Sequence, residues 1–224
     1  METSWDSRTE RGTWDGVTLR SDQQEWVLAQ RDQLADAAQA GDWPTVLDLL
    51  GGHGDWVNTG RVGGRSWYTP LHQAGWHPAP IPVVDRLVAL GAWRTLRNAE
   101  GQRAVDIAVG RGHRRVIEAL APVIHHPVPT ARLILFQEHL HELIRARAGG
   151  LITDQRLRLP ELEPLTELKN PVGWFAVPGM YGGFNYRLEG ADLVVESWSR
   201  VVEGSGQRHT IGASGPRLTA EGFV

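Results

Sequence analysis

The sequence predicts an α+β protein: an N-terminal α-helical solenoid of about three repeats, a linking helix, and then a small antiparallel β domain. Two observations support this fold class. A short helical pattern recurs in the first half of the chain, with copies starting at Leu34, Leu71 and Val105. From Leu151 onward the sequence changes to short alternating segments separated by glycines, which is typical of strands and turns.

The same change of pattern divides the 224 residues into four parts. Residues 1–20 show neither a helical nor a strand period, and we interpret them as a flexible arm, mobile or laid against the body through its two tryptophans. Residues 21–124 are assigned to the repeats with an N-terminal cap helix that starts at a Ser21–Gln24 capping box. Residues 125–150 form a linking or capping helix, and residues 151–224 form the β-rich C-terminal domain.

Composition limits the classes of partner and the location. The hydrophobic fraction of 41% and the charged fraction of 22% are those of a folded protein. A net charge of −3 does not indicate a nucleic-acid or membrane partner. The lack of cysteine excludes disulfides, thiolate nucleophiles and cysteine-ligated metals, and it fits a reducing compartment. Because the sequence has no secretory signal and no apolar run of about 20 residues, we expect a cytoplasmic location.

The middle copy of the repeat is the most distinctive. Thr69-Pro70-Leu71-His72-Gln73-Ala74 opens a short helix, and Val83-Val84 and Leu87-Val88 supply the apolar positions of a second one. The flanking copies carry alanines on their first helix and Gly41-Asp42 or Gly112-His113 in the turn. Small residues allow paired helices to approach closely, and glycine adopts a turn conformation that is costly for other residues.

Between about Gln33 and Pro122, these residues resemble ankyrin repeats. The resemblance implies stacked helix pairs with a concave surface, and hydrogen bonds of Thr69 and His72 that lock the turn, so that His72 is structural. The segments Pro178–Phe184 and Glu221–Val224 look like parts of an uncharacterised domain that accompanies ankyrin repeats in bacterial proteins. The resemblance implies no biochemical activity for that domain.

The array departs from the family pattern in the turn Trp76–Pro82, which has three prolines, and in the lengthened loop Asn58–Trp67. Such departures are where specificity is usually added to a repeat scaffold. Tryptophan is enriched at interfaces, so we predict that a protein partner binds here, with Trp76 and His77 as the first candidates. The predicted partner-binding residues are Trp56, Arg65, Trp67, Tyr68, Trp76, His77 and Trp93.

Together these features predict a non-enzymatic, intracellular protein-binding protein that acts as an adaptor or an inhibitor. An antitoxin or immunity protein that masks a single partner is a specific version of this prediction. Self-association of the array is an alternative. We expect neither a cofactor nor a metal.

The C-terminal domain holds the candidate ligand site. Along the segment 196–200, strand alternation places Glu196, Trp198 and Arg200 on one face. With basic residues of the next strand and a tyrosine in a glycine-rich turn, this face would form a small-molecule site of an enzyme or of an accessory subunit. The alternative is a cross-strand salt bridge beside a core tryptophan. The predicted ligand-binding residues are Tyr181, Glu196, Trp198, Arg200, Arg208 and His209.

Other histidines and glycines have simpler interpretations. His139 and His141 are two residues apart and point to different sides of a helix, whereas metal-binding pairs are three or four apart. His125-His126 lies between prolines in a linker. The glycine-rich run Gly179–Gly183 lacks the spacing and the lysine of a phosphate-binding loop, which favours a tight turn.

Overall fold

The computed structural model describes residues 11–200 and 205–222, which form helices and a β-sheet and so make an α+β protein. The chain divides into two units. The helical unit comprises residues 17–123 and 155–158. The sheet unit comprises the described residues of 1–16, 124–154 and 159–224. None of the described helices is long and apolar enough to cross a membrane.

Three consecutive helix pairs make up the helical unit. Their helices are α1 (Glu25–Ala40), α2 (Trp43–Gly52), α3 (Pro70–Trp76), α4 (Ile81–Ala89), α5 (Ala104–Gly110) and α6 (Arg114–Leu120). The two helices of each pair contact each other. The first helices α1, α3 and α5 also contact their neighbours in this series, as do the second helices, so that the pairs stack side by side.

The turns between paired helices differ in the way that the sequence predicts. Gly41 after α1 and Gly112 after α5 have left-handed φ values of 74° and 73°, a conformation that glycine adopts at little cost. In the middle pair, α3 ends instead at Trp76, and His77 is extended with φ −91° and ψ 145°. The prolines that follow cannot continue α3, so Trp76 stands at the end of a short helix.

The interior of the helical unit is apolar and closely packed. Its fully buried side chains come from all three pairs and include Val46, Leu50, Ala74, Val84, Leu87, Ala108 and Leu120. Gly75 is needed where α3 meets α5, because a Cβ atom at this position would collide with the backbone carbonyl oxygen of Ala104. The lack of a side chain at Gly75 therefore allows α3 to pack closely on α5.

The sheet unit combines one long helix with a six-stranded sheet. The elements are α7 (Thr130–Asp154), β1 (Gly12–Trp14), β2 (Val172–Val177), β3 (Gly182–Glu189), β4 (Asp192–Ser199), β5 (Ser205–Gly212) and β6 (Gly215–Glu221). The strands follow one another in order across the sheet, and α7 contacts β2, β5 and β6. All neighbouring strands are antiparallel except β1 and β2, which are parallel.

Several boundaries differ from the predictions. The flexible-arm prediction is wrong for residues 12–14, which form β1 because their backbone pairs with β2 and because Trp14 is buried. The first tryptophan, Trp5, lies outside the described residues. The β domain is for the same reason not wholly antiparallel.

The predicted capping box is absent, since α1 starts after Gln24 without a side-chain cap. Helix α7 continues beyond the predicted end, across a non-helical Ala148, to Asp154.

Candidate functional site

A group of aromatic and basic side chains in the helical unit forms an exposed surface. Trp67 and Trp76 are 38% and 41% exposed, which is high for tryptophan. The guanidinium group of Arg158 lies 4.2 Å from the centre of the Trp67 ring, and that of Arg111 lies 3.8 Å from the Trp76 ring. Tyr68 contacts Trp76 edge to face, with ring centres 6.2 Å apart. We call these five residues the aromatic surface.

The backbone around Trp67 is held in an unusual conformation. Trp67 has a φ of 55°, in the left-handed region that bulky side chains rarely adopt. Such a conformation costs free energy, of order 1–3 kcal/mol, and persists only where the surroundings fix it. Two positions further on, Thr69 caps α3, so the loop is anchored directly beyond Trp67 and the partly buried Tyr68.

The anchor is a buried hydrogen-bond network around His72. The Thr69 N–H donates to Nδ1 of His72 over 3.2 Å, and the Thr69 hydroxyl lies 2.8 Å from the same nitrogen. Nε2 lies 3.3 Å from the carbonyl oxygen of Gln102, which assigns the ring proton to Nε2. Burial lowers the pKa of His72 to about 4, so the ring is neutral at pH 7. These are the hydrogen bonds that the family resemblance implies, and they hold the loop that carries Trp67 and Tyr68.

Three residues of the predicted partner-binding set have structural roles instead. Trp56 and Trp93 are only 9% and 7% exposed, and Trp56 stacks on His53 with ring centres 3.9 Å apart. His77 donates from Nε2 to the Gln39 carbonyl oxygen over 2.9 Å, which ties the end of α3 to α1. The prediction that Trp56 and Trp93 form a binding surface is wrong, because their rings are buried in the unit's interior. Arg65 is exposed in the loop before Trp67.

Sequence reasoning missed the two arginines of the aromatic surface. Arg111 follows α5 and Arg158 lies far along the chain, and neither position carries a motif. Both are recognised only because the fold brings their guanidinium groups over tryptophan rings. Arginine on an indole face is a favourable pairing because the ring face is electron-rich.

A cleft of about 120 Å³ opens beside Trp67 and Tyr68. Its walls come from α1, from the loop that precedes α3, and from the first turn of α3, and they include Arg31, Arg61 and Gln73. Burial is the largest cause of the raised pKa of Tyr68, so its hydroxyl group remains protonated at neutral pH. We call this feature the Arg31 cleft.

In the sheet unit, Glu196 is the centre of a cross-strand ion-pair network. It is 8% exposed, and its Oε1 accepts from Nε of Arg208 over 2.7 Å. Its Oε2 accepts from the amide of Asn185 over 3.3 Å and lies 3.6 Å from Nη1 of Arg187. The register pairs Glu196 with Asn185 on one side and with Arg208 on the other. This is the salt-bridge alternative that the sequence left open.

The predicted ligand set does not converge around this network. Arg208 and His209 pair in regular register with Glu196 and Val195 of β4, so they face opposite sides of the sheet, although the pairing of β5 with β6 is irregular between them. His209 is paired with Val195, not with Glu196, so its inclusion in one site with Glu196 is wrong. Arg200 lies beyond the end of β4 and is exposed. Tyr181 is 74% exposed in the turn before β3, with a φ of 51°.

Trp198 belongs instead to a stacked pair of indoles. Its ring lies 4.8 Å from that of Trp174, nearly parallel at 24°, and the guanidinium group of Arg11 lies 5.0 Å from the Trp174 ring centre. Gly183 lies opposite Trp198 in the register. A Cβ atom on Gly183 would collide with the backbone of β2, so glycine is required beside the stacked pair.

No protein-family model and no curated protein sequence matches this chain.

The histidines of α7 bond to different partners. Nδ1 of His139 lies 3.0 Å from a carboxylate oxygen of Glu142, whereas Nε2 of His141 donates to the Pro160 carbonyl oxygen over 2.8 Å. Among residues 11–200 and 205–222, no cluster of three or more histidine or acidic side chains is arranged to hold a metal ion.

In the glycine-rich run, Gly179 and Tyr181 have φ values of 83° and 51°, as in a tight turn.

Proposed function

We propose that this chain is a non-enzymatic, intracellular protein-binding protein that recognises its partner through the aromatic surface of its helical unit. The observation that carries the proposal is the pair of exposed tryptophans, Trp67 and Trp76, each held by a stacked arginine. An adaptor or an inhibitor would use such a surface in the same way. An intracellular, reducing compartment fits a chain that has no cysteine.

Tryptophan, tyrosine and arginine are the residue types that contribute most to binding free energy at protein interfaces. A free aromatic side chain loses rotamer entropy when a partner immobilises it. Trp67 and Trp76 lose less of this entropy, because the stacked arginines and the anchored loop already restrict their rings. The aromatic side chains of the surface are therefore preorganised before a partner binds.

We further propose that the helical unit is an ankyrin-type array. Three kinds of observation support this: the stacking of α1, α3 and α5 with their paired helices, the left-handed glycines Gly41 and Gly112 at equivalent turns, and the bonded pair Thr69 and His72. In such an array, variable residues on a constant framework determine the partner. The two exposed tryptophans of the aromatic surface, Trp67 and Trp76, lie at the two places where the sequence departs from the family pattern.

The alternative, an enzyme or accessory subunit with a small-molecule site in the sheet unit, has less support. Both carboxylate oxygens of Glu196 already accept hydrogen bonds from neighbouring strands, and His209 lies on the opposite face. A depression lined by Arg187 and Arg208, which both contact Glu196, has a volume of about 330 Å³ and is a shallow surface feature rather than a water-excluding pocket.

A pull-down from native lysate tests the proposal with a matched pair of variants, Trp76→Ala and Trp26→Ala. Trp26 is 57% exposed in α1 and lies outside the aromatic surface, so its replacement removes the same side chain from a different place. Truncating a central tryptophan of an interface typically costs 2 kcal/mol or more, which is about a 30-fold loss of affinity.

The expected result is a stoichiometric partner that the wild type and Trp26→Ala capture and that Trp76→Ala loses, with circular dichroism showing all three folded. Equal capture by both variants would contradict the proposed surface. Failure of the wild type to capture any partner would contradict the protein-binding function.

A further inference from the structure

The turn between α5 and α6 carries three arginines beside the aromatic surface. Arg111 follows the last residue of α5, Arg114 and Arg115 are the first two residues of α6, and all three are exposed. The guanidinium group of Arg111 lies 3.8 Å from the centre of the Trp76 ring, which is itself 41% exposed. We call residues 111–115 the basic turn.

The basic turn also contacts the end of α3. Nδ1 of His113 lies 3.1 Å from the carbonyl oxygen of Gly75, the residue that precedes Trp76. Arg114 and Arg115 directly follow this histidine, so their backbone lies within about 7 Å of it. Electrostatic screening in dilute salt acts over about 10 Å or more. The charges of these two arginines therefore add to the positive potential beside Trp76.

The fold itself does not require arginine in this turn. The turn after α1 has the same left-handed geometry, with a φ of 74° at Gly41 against 73° at Gly112. Its residues at the positions that match the three arginines are Ala40, Trp43 and Pro44. Arginine in the first turn of a helix is even unfavourable, because the helix dipole places partial positive charge there. The stability of the turn therefore does not explain the three arginines.

The positive charge of the basic turn is not neutralised by the described part of the chain, in which none of its three arginines forms an ion pair. Two carboxylates are in the vicinity, that of Glu118 further along α6 and that of Glu100, whose charge acts on Tyr68. Residues 93–123 nevertheless include six arginines and only three acidic residues, although the whole chain has a net charge of −3. This end of the array is therefore positive.

The contact with Trp76 leaves Arg111 able to bind an anion. A guanidinium group that lies on a ring uses its face, and the N–H groups at its edge remain available to an acceptor. Two parallel N–H groups of this kind match the two oxygens of a carboxylate. An apolar side chain that packs on Trp76 can therefore have an acidic neighbour that pairs with Arg111.

We propose that the segment of the partner that packs on Trp76 is acidic, with aspartate or glutamate side chains that pair with the basic turn. This inference rests on the proposed function, and it adds the chemistry of the partner to it. A protein segment fits better than a nucleic acid, because the long polyphosphate of a nucleic acid would meet a chain that is negative overall.

The test is an NMR titration of the full ¹⁵N-labelled chain, followed at the indole N–H signal of Trp76, which Trp76→Phe assigns. The acidic probe is the acetylated and amidated hexapeptide Glu-Leu-Glu-Glu-Leu-Glu, and the neutral probe has glutamine in place of each glutamate. A thymidylate octamer is the nucleic-acid probe. The titrations are carried out in about 25 mM and about 300 mM salt, where screening is weak and strong respectively.

In low salt we expect saturable binding of the acidic probe, at least about threefold tighter than that of the neutral probe, because several exposed ion pairs each add a small amount. High salt should remove the difference. Equal affinities of the two peptides, no saturable binding of the acidic peptide, or tighter binding of the octamer would overturn the proposal. A Trp76 signal that shifts on dilution of the chain alone would overturn it as well, since a second copy would then occupy the surface.

A double variant, Arg114→Gln with Arg115→Gln, removes two charges and leaves the contact between Arg111 and Trp76. It should weaken binding of the acidic probe by about threefold or more and leave the neutral probe unaffected. The matched control, Arg132→Gln with Arg145→Gln, changes two exposed arginines of α7 and should leave both affinities unaltered. An unchanged affinity of the first variant for the acidic probe would contradict the role of the basic turn.

The titration uses only the free chain and small probes, whereas the pull-down measures capture of a protein partner. The two proposals can therefore fail separately. Capture that depends on Trp76, without a preference for the acidic probe, would leave the proposed function intact and overturn this inference alone.

Discussion

His72 in the helical unit and Glu196 in the sheet unit are both polar and both buried, with exposures of 1% and 8%, but their hydrogen bonds are organised differently. His72 is neutral and bonds to the backbone of Thr69 and Gln102 as well as to the Thr69 hydroxyl. Glu196 accepts from side chains on the two neighbouring strands, among them that of Arg208.

The difference separates two uses of a buried polar side chain. Bonds to nearby backbone fix the local path of the chain, here the loop that carries the aromatic surface. Bonds between side chains on adjacent strands fix the register of a sheet. Loss of the first kind leaves buried backbone groups unsatisfied. Loss of the second kind affects mainly Arg208, which makes the shorter bond to Glu196 and which water can solvate, together with the longer bond from the buried amide of Asn185. Larger effects are therefore expected in the helical unit.

The largest effect is expected from Gly75→Ala, which tests how closely α3, the helix that His72 helps to start, must pack on α5. The added Cβ collides with the Ala104 carbonyl oxygen, and backbone cannot move aside as a flexible side chain can. We expect a loss of more than about 3 kcal/mol in the free energy of unfolding, measured by urea denaturation.

Gly110→Ala is the matched control, because a Cβ atom on Gly110 at the exposed end of α5 meets no atom within 4 Å. It should leave the free energy of unfolding unchanged or raise it by up to about 1 kcal/mol, since alanine favours a helix. Similar losses in both variants would show that helix propensity, and not close packing, determines the result.

The second effect concerns pH and follows from the lowered pKa of His72. The ring has a pKa of about 4 in the folded chain, against an ordinary histidine pKa of 6.5. Between these values the unfolded chain binds a proton that the folded chain does not, so stability falls as pH is lowered from 6.5 to 4. At pH 4, the decrease in the free energy of unfolding that is attributable to His72 approaches about 3 kcal/mol.

Denaturation midpoints across this pH range, compared with those of His72→Gln, measure the effect. Burial also lowers the pKa of His141 and of His209 in the sheet unit, and these residues remain in both proteins, so the difference isolates His72. His125→Gln, at an exposed histidine, should keep the wild-type pH dependence. If the His72→Gln variant also kept the wild-type pH dependence, the pH effect could not be assigned to His72.

The smallest effect is expected from Glu196→Gln, which removes the charge at the centre of the sheet network and keeps its shape. Breaking a buried ion pair costs several kcal/mol, but the Arg208 side chain is 45% exposed, so we expect about 1–2 kcal/mol. Amide hydrogen exchange in β3, β4 and β5 measures the change. Glu221→Gln, which alters an exposed bond to Gln207, should cost less than about 0.5 kcal/mol.

Much of the helical unit follows from short-range sequence signals. The left-handed turn at Gly41 and the cap formed by Thr69 involve residues that are close together in the chain, so the local pattern is sufficient to predict them. The strand Gly12–Trp14 has no such signal, because it forms only where β2 supplies its hydrogen-bonding partner. The position of His209, by contrast, was predictable, since adjacent residues of a regularly paired strand point to opposite faces.

By itself, the sequence determined the elements that depend on neighbouring residues: the helix pairs, their turns, the main strands and the hydrogen-bonded start of α3. Only the tertiary structure decided which tryptophans are exposed, since Trp56 and Trp93 are buried while Trp67 and Trp76 are not. It also decided that arginines far away in the chain stack on the two exposed rings. The physical reason is that the exposure of a side chain depends on atoms from distant segments, which no local pattern records.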